Sequence, residues 1–249
     1  MLCSHMDYSF RCSLIPLCTL VLFLSLQTRA HADTLVDLEL ILAVDVSGSV
    51  DNDEYSLQMQ GLSAAFRDPT VYAAIKRAGP NGIAVTVVQW SGPGEQAVAM
   101  DWFHLKDLAS TNSFALQLQN LRRNYWGGDT LIGQAMVFAI RQFRRNGFTA
   151  PRQVIDVSGD GGVEALGMTR VGRDAAVREG IVVNGLAIEK DVTNLSAFYR
   201  DNVIGGAGSF VMTALNYRDF QAAIRRKLVE EIAPLQLSTT FPAKPAKGG

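Results

Sequence analysis

From residue 38 to residue 232, short apolar runs alternate with stretches whose apolar residues recur every three or four positions. Residues 38–46, 83–90, 154–157, 181–188 and 209–213 are rich in β-branched side chains and bounded by turn formers, the pattern of strands buried on both faces. Residues 97–102 form a sixth candidate. Only Ser91-Gly92-Pro93-Gly94-Glu95-Gln96 separates it from the preceding run, too little for a helical crossover, so it is expected to return antiparallel at a sheet edge.

Between these runs, Tyr55, Met59, Leu62 and Phe66 fall at helical spacing, and Asp51 with Glu54 has the form of a reciprocal cap. Residues 131–143 repeat the period with Ile132, Met136, Ala139 and Phe143 on one face. Asn216 is placed to cap a last helix carrying Phe220, Ile224, Leu228 and Ile232. Shorter helices are expected over 71–77, 108–121, 169–178 and 195–200. The alternation predicts an α/β fold: a doubly wound, mostly parallel six-stranded sheet with one antiparallel edge strand and helices on both faces.

The ends of the chain read differently. Arg11 precedes an apolar run over 14–26, and Ala30-His31-Ala32 follows it, the layout of a secretory signal cleaved between Ala32 and Asp33. The run is shorter than the roughly 18 residues of a membrane span. From Pro234 the chain becomes Ser, Thr, Pro, Ala, Lys and Gly without period, a flexible tail by composition. The expected division is therefore a signal peptide over 1–32, one domain over 33–233 and a tail over 234–249, in a secreted or periplasmic protein with no transmembrane segment in its mature chain. Cys3, Cys12 and Cys18 all lie in the signal, which leaves the mature chain without a disulfide, a thiolate metal site or a cysteine nucleophile. The formal net charge is −1, and basic runs such as Arg225 to Lys227 read as solvated helix faces, so nothing points to nucleic acid.

Chemistry concentrates where the first predicted strand ends. Asp45, Ser47 and Ser49 alternate there, and residues two apart in an extended loop can point the same way. In open α/β sheets, ligands bind at the carboxyl ends of the strands. A carboxylate and two hydroxyls are hard oxygen donors that suit Mg²⁺, Mn²⁺ or Ca²⁺. Further donors stand in Gly127-Gly128-Asp129-Thr130, before the fourth predicted helix, and in Ser158-Gly159-Asp160-Gly161-Gly162, after the 154–157 strand.

Asp45-x-Ser47-x-Ser49, then Thr130 in a Gly-Gly-x-Thr setting, then Asp160 in Val-Ser-Gly-Asp-Gly resembles the metal-ion-dependent adhesion site of von Willebrand factor type A domains. The stretch Val154-Ile155-Asp156-Val157-Ser158-Gly159-Asp160-Gly161 is similar to an exported bacterial branch of that family. The resemblance spans most of the mature chain, because strand and helix order also fit its Rossmann-like fold. It implies that Ser47, Ser49 and Thr130 coordinate a divalent ion directly or nearly so, with Asp45 and Asp160 acting partly through water. It further implies a protein-binding module for adhesion or assembly. Neutral hydroxyls leave such an ion electrophilic and open to a carboxylate presented by a partner protein. Two carboxylates sharing one site also repel, which is expected to raise at least one pKa without metal.

Other residues carry weaker signals. Asp129 is expected either to cap the next helix or to touch a metal-bound water, the cap being the favoured reading. Asp156, in mid-strand, is expected to point away from the oxygen cluster and to find a backbone partner. Tyr125, Trp126 and Trp90 lie near the presumed rim, either as loop packing or as a partner-binding surface. A Ser-His-Asp hydrolase would have to use His104, the lone mature histidine, and no G-x-S-x-G elbow accompanies it. Gly92-x-Gly94 precedes a strand where a dinucleotide motif needs a helix. A metal-dependent hydrolase or phosphoryl-transfer enzyme at the same cluster is the rival reading. Ser47 stands where such an enzyme usually has its acid partner, so no catalytic residue is assigned and a non-enzymatic role is expected.

Overall fold

The computed structural model describes residues 33–144, 146–162 and 166–233, so the predicted signal peptide and tail lie outside the described residues. In chain order the elements are β1 Thr34–Leu35, β2 Leu38–Asp45, α1 Asn52–Arg67, α2 Pro69–Ala78, β3 Ile83–Trp90, β4 Gln96–Leu105, α3 Leu108–Gln119, α4 Ile132–Gln142, β5 Phe148–Thr149 and β6 Gln153–Gly159. Then follow α5 Leu166–Arg178, β7 Val182–Ile188, α6 Leu195–Phe198, a π turn over Tyr199–Val203, β8 Val211–Ala214 and α7 Tyr217–Ile232.

Six strands form one sheet in the order β4-β3-β2-β6-β7-β8, parallel except for the β3–β4 pair. This is the predicted fold class, with β4 at the antiparallel edge. The strand β2 lies between β3 and β6 and is buried along its whole length, which explains its near-continuous apolar sequence. Leu38, Leu40, Leu42 and Val44 face a core built with Met59, Leu62 and Phe66 of α1, Phe114 of α3, and Phe220 and Leu228 of α7. Ile41 and Ala43 face the opposite core, with Ile132, Met136 and Ala139 of α4 and Ala176 of α5. Each helix thus buries the stripe its period marked.

The caps follow the local sequence. Glu54 N–H donates to Asp51 Oδ1 at 2.8 Å, and Asp51 N–H donates to Glu54 Oε2 at 2.9 Å, closing the reciprocal box at the start of α1. Asn216 Oδ1 accepts from the N–H groups of Arg218 and Asp219 at the start of α7. Two strands escaped the pattern: β1 and β5 pair over only two residues each, too few for any periodicity. The edge strand β4 also runs three residues beyond its predicted end, because Phe103, His104 and Leu105 continue the ladder against β3.

Two polar expectations are corrected. Asp156 is buried, but its partner is a side chain: Lys227 Nζ stands 2.7 Å from its Oδ1. Lys227 is accordingly 0% exposed and is no part of a solvated face. It also lies 3.1 Å from Glu231 Oε1, which accepts from Asn184 Nδ2 at 2.7 Å. The helical period puts Lys227 on the same inward face as Ala223, Ile224 and Leu228, where the carboxylates stabilise its charge.

Candidate functional site

Parallel pairing brings the ends of β2, β3 and β6 to one rim of the sheet: Asp45 is in register with Trp90, and Val44 with Ser158. The loops after β2 and β6 and the loop entering α4 therefore meet above the strand ends. Ser91 Oγ, just after β3, donates to Gly127 O, and Gly48 N–H, after β2, donates to Gly128 O at 3.1 Å, which ties the Gly127–Thr130 loop to the ends of both strands. Gly128 has φ +94°, and a Cβ there would meet Glu95 Oε2 and Ser91 Oγ, so only glycine fits.

The five sequence-predicted side chains form one hydrogen-bonded group. Ser47 N–H donates to Asp45 Oδ1 at 2.8 Å, and Thr130 Oγ1 donates to Ser47 Oγ at 3.1 Å. The Ser47 and Ser49 hydroxyl oxygens are 3.2 Å apart, and Ser49 Oγ donates to Asp160 Oδ1 at 2.6 Å. Tyr217 Oη, in the first turn of α7, donates to Asp160 Oδ2 at 3.0 Å. Asp45 and Asp160 are both buried, and Asp45 Oδ2 has no hydrogen-bond partner.

Burial, and then the neighbouring Asp160 charge, push the Asp45 carboxyl up to about 7, against the two hydrogen bonds from Ser47. Asp160 is also raised, mainly by burial and against bonds from Ser49 and Tyr217. The expected repulsion is present, with burial the larger cause. A buried carboxylate with an unpartnered oxygen, beside three hydroxyls and a second carboxylate, fits a hard divalent cation by its donor chemistry. Among the described residues, no cluster of three or more His, Cys, Asp or Glu side chains offers a competing metal site.

Supporting residues without a motif complete the site. Arg123 is almost fully buried, and its Nη2 donates to Val46 O at 2.9 Å and Ser47 O at 3.0 Å. Its Nε donates to Tyr125 O at 2.6 Å. Gln58 Nε2, from α1, donates to Asp45 O at 3.1 Å. An arginine in a loop and a glutamine on a helix gave no sign of this, since their roles appear only once the elements cross. For Gln58, the one cue was its place on the apolar stripe of α1.

The remaining candidates are sorted by position. Asp129 is exposed and does not cap α4, whose N-cap is Leu131 with no side-chain bond, because the loop turns inward one residue later at Thr130. Trp90 is fully buried in the α4-side core and belongs to no surface. Tyr125 packs partly against the other core, whereas Trp126 is 71% exposed with Arg123 beneath its ring. His104 Nε2 is 2.7 Å from Asn81 O, at the end of the sheet away from Asp45. Gly92 and Gly94 form the β3–β4 turn.

A family model described as "Protein of unknown function (DUF1194)" matches residues 35–236. The chain belongs to this family. No curated protein matches it. Among solved structures, this DUF1194 member is similar to proximal thread matrix protein 1 from the mussel byssus, in a form whose adhesion-site motif holds zinc. The TM-score is 0.57 with 17% identity over 80% of this chain and 46% of that one. A von Willebrand factor type A protein from Catenulispora acidiphila gives 0.55, with 14% identity over 78% and 42%. The von Willebrand factor domain of the pilus tip protein Mfa5 from Porphyromonas gingivalis gives 0.53, with 10% identity over 78% and 94%. The DUF1194 chain thus has the von Willebrand factor type A fold, and it spans less than half the length of the first two proteins.

Proposed function

We propose that this protein is a divalent-cation-dependent protein-binding module. Asp45, Ser47, Ser49, Thr130 and Asp160 would hold the ion, and the ion would bridge to a carboxylate on a partner protein. The observation that supports it best is the convergence of these five side chains from three separate loops into one bonded group, with Asp45 Oδ2 buried and unpartnered at its base. When bound, the cation would supply an electrophilic position for an outside oxygen. The protein's part is to fix the hydroxyls, which Gln58 and Arg123 do through the backbone carbonyls of Asp45, Val46 and Ser47. Mg²⁺ is the proposed ion, by availability, with Mn²⁺ or Ca²⁺ able to use the same donors. The proposal includes export by a signal over 1–32, a domain over 33–233 and a tail over 234–249. No helix among the described residues is long and apolar enough to cross a membrane.

Thermal melting with Mg²⁺ or with chelator tests the site. The parent is expected to melt higher in Mg²⁺, and Asp45→Ala to lose that shift while melting like the parent in chelator. An identical Mg²⁺ shift in parent and variant would place the ion elsewhere. Affinity capture from the cell's own envelope extract tests the role: partners are expected in Mg²⁺ and absent in chelator. Partners held equally in both would rule out a metal bridge.

A further inference from the structure

Gly159 of β6 and Gly185 of β7 make room on the α4-side face of the sheet for one residue, Tyr199. A Cβ on Gly185 would lie 2.7 Å from Tyr199 Cδ1, and a Cβ on Gly159 would lie 3.0 Å from Tyr199 Oη. The same point above Gly159 is 2.6 Å from Asp45 Oδ2. Two oxygens therefore face one small space, both fully buried and both without a hydrogen-bond partner. They are chemically complementary, since a phenol donates and a carboxylate oxygen accepts. Unsatisfied buried polar groups are rare enough in folded proteins that two sharing a space call for a common explanation.

Packing does not supply it. A phenylalanine ring would fill the space over Gly185 as well as Tyr199 does, so the hydroxyl is the part that the core has no use for. The residue is also held in an unusual way: it opens the π turn over Tyr199–Val203, in which Ile204 N–H donates back to Tyr199 O at 3.0 Å. Such turns occur often at functional sites.

We propose that Tyr199 is a positioning residue of the cation site. Its hydroxyl donates, across one water molecule seated above Gly159, to the inner oxygen of Asp45. The carboxylate is then held at both ends, because its other oxygen accepts from the Ser47 N–H. Asp45 presents a fixed charge to the hydroxyls of Ser47, Ser49 and Thr130, and the π turn after α6 is drawn into a site whose donors come from elsewhere. The inference rests on the cation-binding reading above.

Calorimetric titration of the purified protein with Mg²⁺ and Mn²⁺, beside its Tyr199→Phe variant, tests both together. The parent is expected to bind, and Tyr199→Phe to bind about tenfold more weakly, the usual loss when an outer partner of a ligand is removed. Its melting temperature in chelator is expected to equal or exceed the parent's, which a merely structural tyrosine would not allow. Equal affinity in both would overturn the role of Tyr199 and leave the site standing, whereas a parent that binds neither ion would overturn both. A second measurement needs no substitution of Tyr199. With ¹³Cζ-labelled tyrosine, Mg²⁺ is expected to move two buried resonances, from Tyr199 and Tyr217, and Tyr217→Phe to remove only one of them. A single moving signal that vanishes in Tyr217→Phe would overturn the proposal.

Discussion

Arg123 shows how much of a polar site can depend on a residue outside it. Its guanidinium is nearly buried and donates to three backbone carbonyls, those of Val46, Ser47 and Tyr125. It thereby joins the loop after β2 to the loop before α4. Removing it strands two buried acceptors, so Arg123→Ala is expected to cost about 2–3 kcal/mol of unfolding free energy. Arg123→Lys should recover less than half of this, because an ammonium group lacks the planar fork that serves neighbouring carbonyls. Urea unfolding of the two variants measures both effects. Midpoints equal to the parent's would mean that the Gly48–Gly128 backbone bond holds the loops unaided.

At the scale of elements, α7 carries the least ordinary packing. It seats Lys227 between Asp156 of β6 and its own Glu231, all three buried, with Arg152 reaching the helix end through Glu231 O and Ile232 O. Lys227→Met is expected to destabilise by about 3–5 kcal/mol, since two carboxylates lose their cation, and the combined Lys227→Met, Asp156→Leu, Glu231→Leu variant to regain most of it. A single variant as stable as the parent in urea would show that the buried ion group adds nothing to stability. This cluster also marks where sequence reading stops. The buried runs of β2, β3 and β6 announce themselves because a strand covered on both faces has little choice of residue. The motif residues of the site were legible too, through their spacing and their places at element ends. Lys227, Arg123 and Gln58 were not, because a long polar side chain is read as solvated until the element crossing over it is known. Asp129 misled for a related reason: a carboxylate before a helix looks like a cap, and here the loop bends away first.

For the whole molecule, burying carboxylates without full compensation sets a direction for pH. Asp45 is raised to about 7 by burial and by Asp160, and Glu231 to about 7 by burial and Asp156 against Lys227. Asp160 and Glu39 are raised as well, chiefly by burial. A carboxyl whose folded pKa exceeds its unfolded value holds its proton longer in the native state. Between the unfolded values near 4 and the folded values, the native state therefore binds more protons, and stability falls as pH rises. The carboxylates that are lowered, Asp68, Asp107 and Glu189, act the other way, but only below about pH 5, where their unfolded forms titrate. In chelator the protein is thus expected to be most stable near pH 5 and to lose on the order of a few kcal/mol by pH 8, about 1.4 kcal/mol for each pKa unit involved. Saturating Mg²⁺ should oppose this through Asp45 and Asp160, because the cation competes with protons for the same oxygens. The gap between melting temperatures in Mg²⁺ and in chelator should then widen steadily from pH 5 to pH 8. A gap that stays constant would detach the ion from these two carboxylates, and a melting temperature in chelator that climbs with pH would mean that they are ionised and compensated within the protein itself.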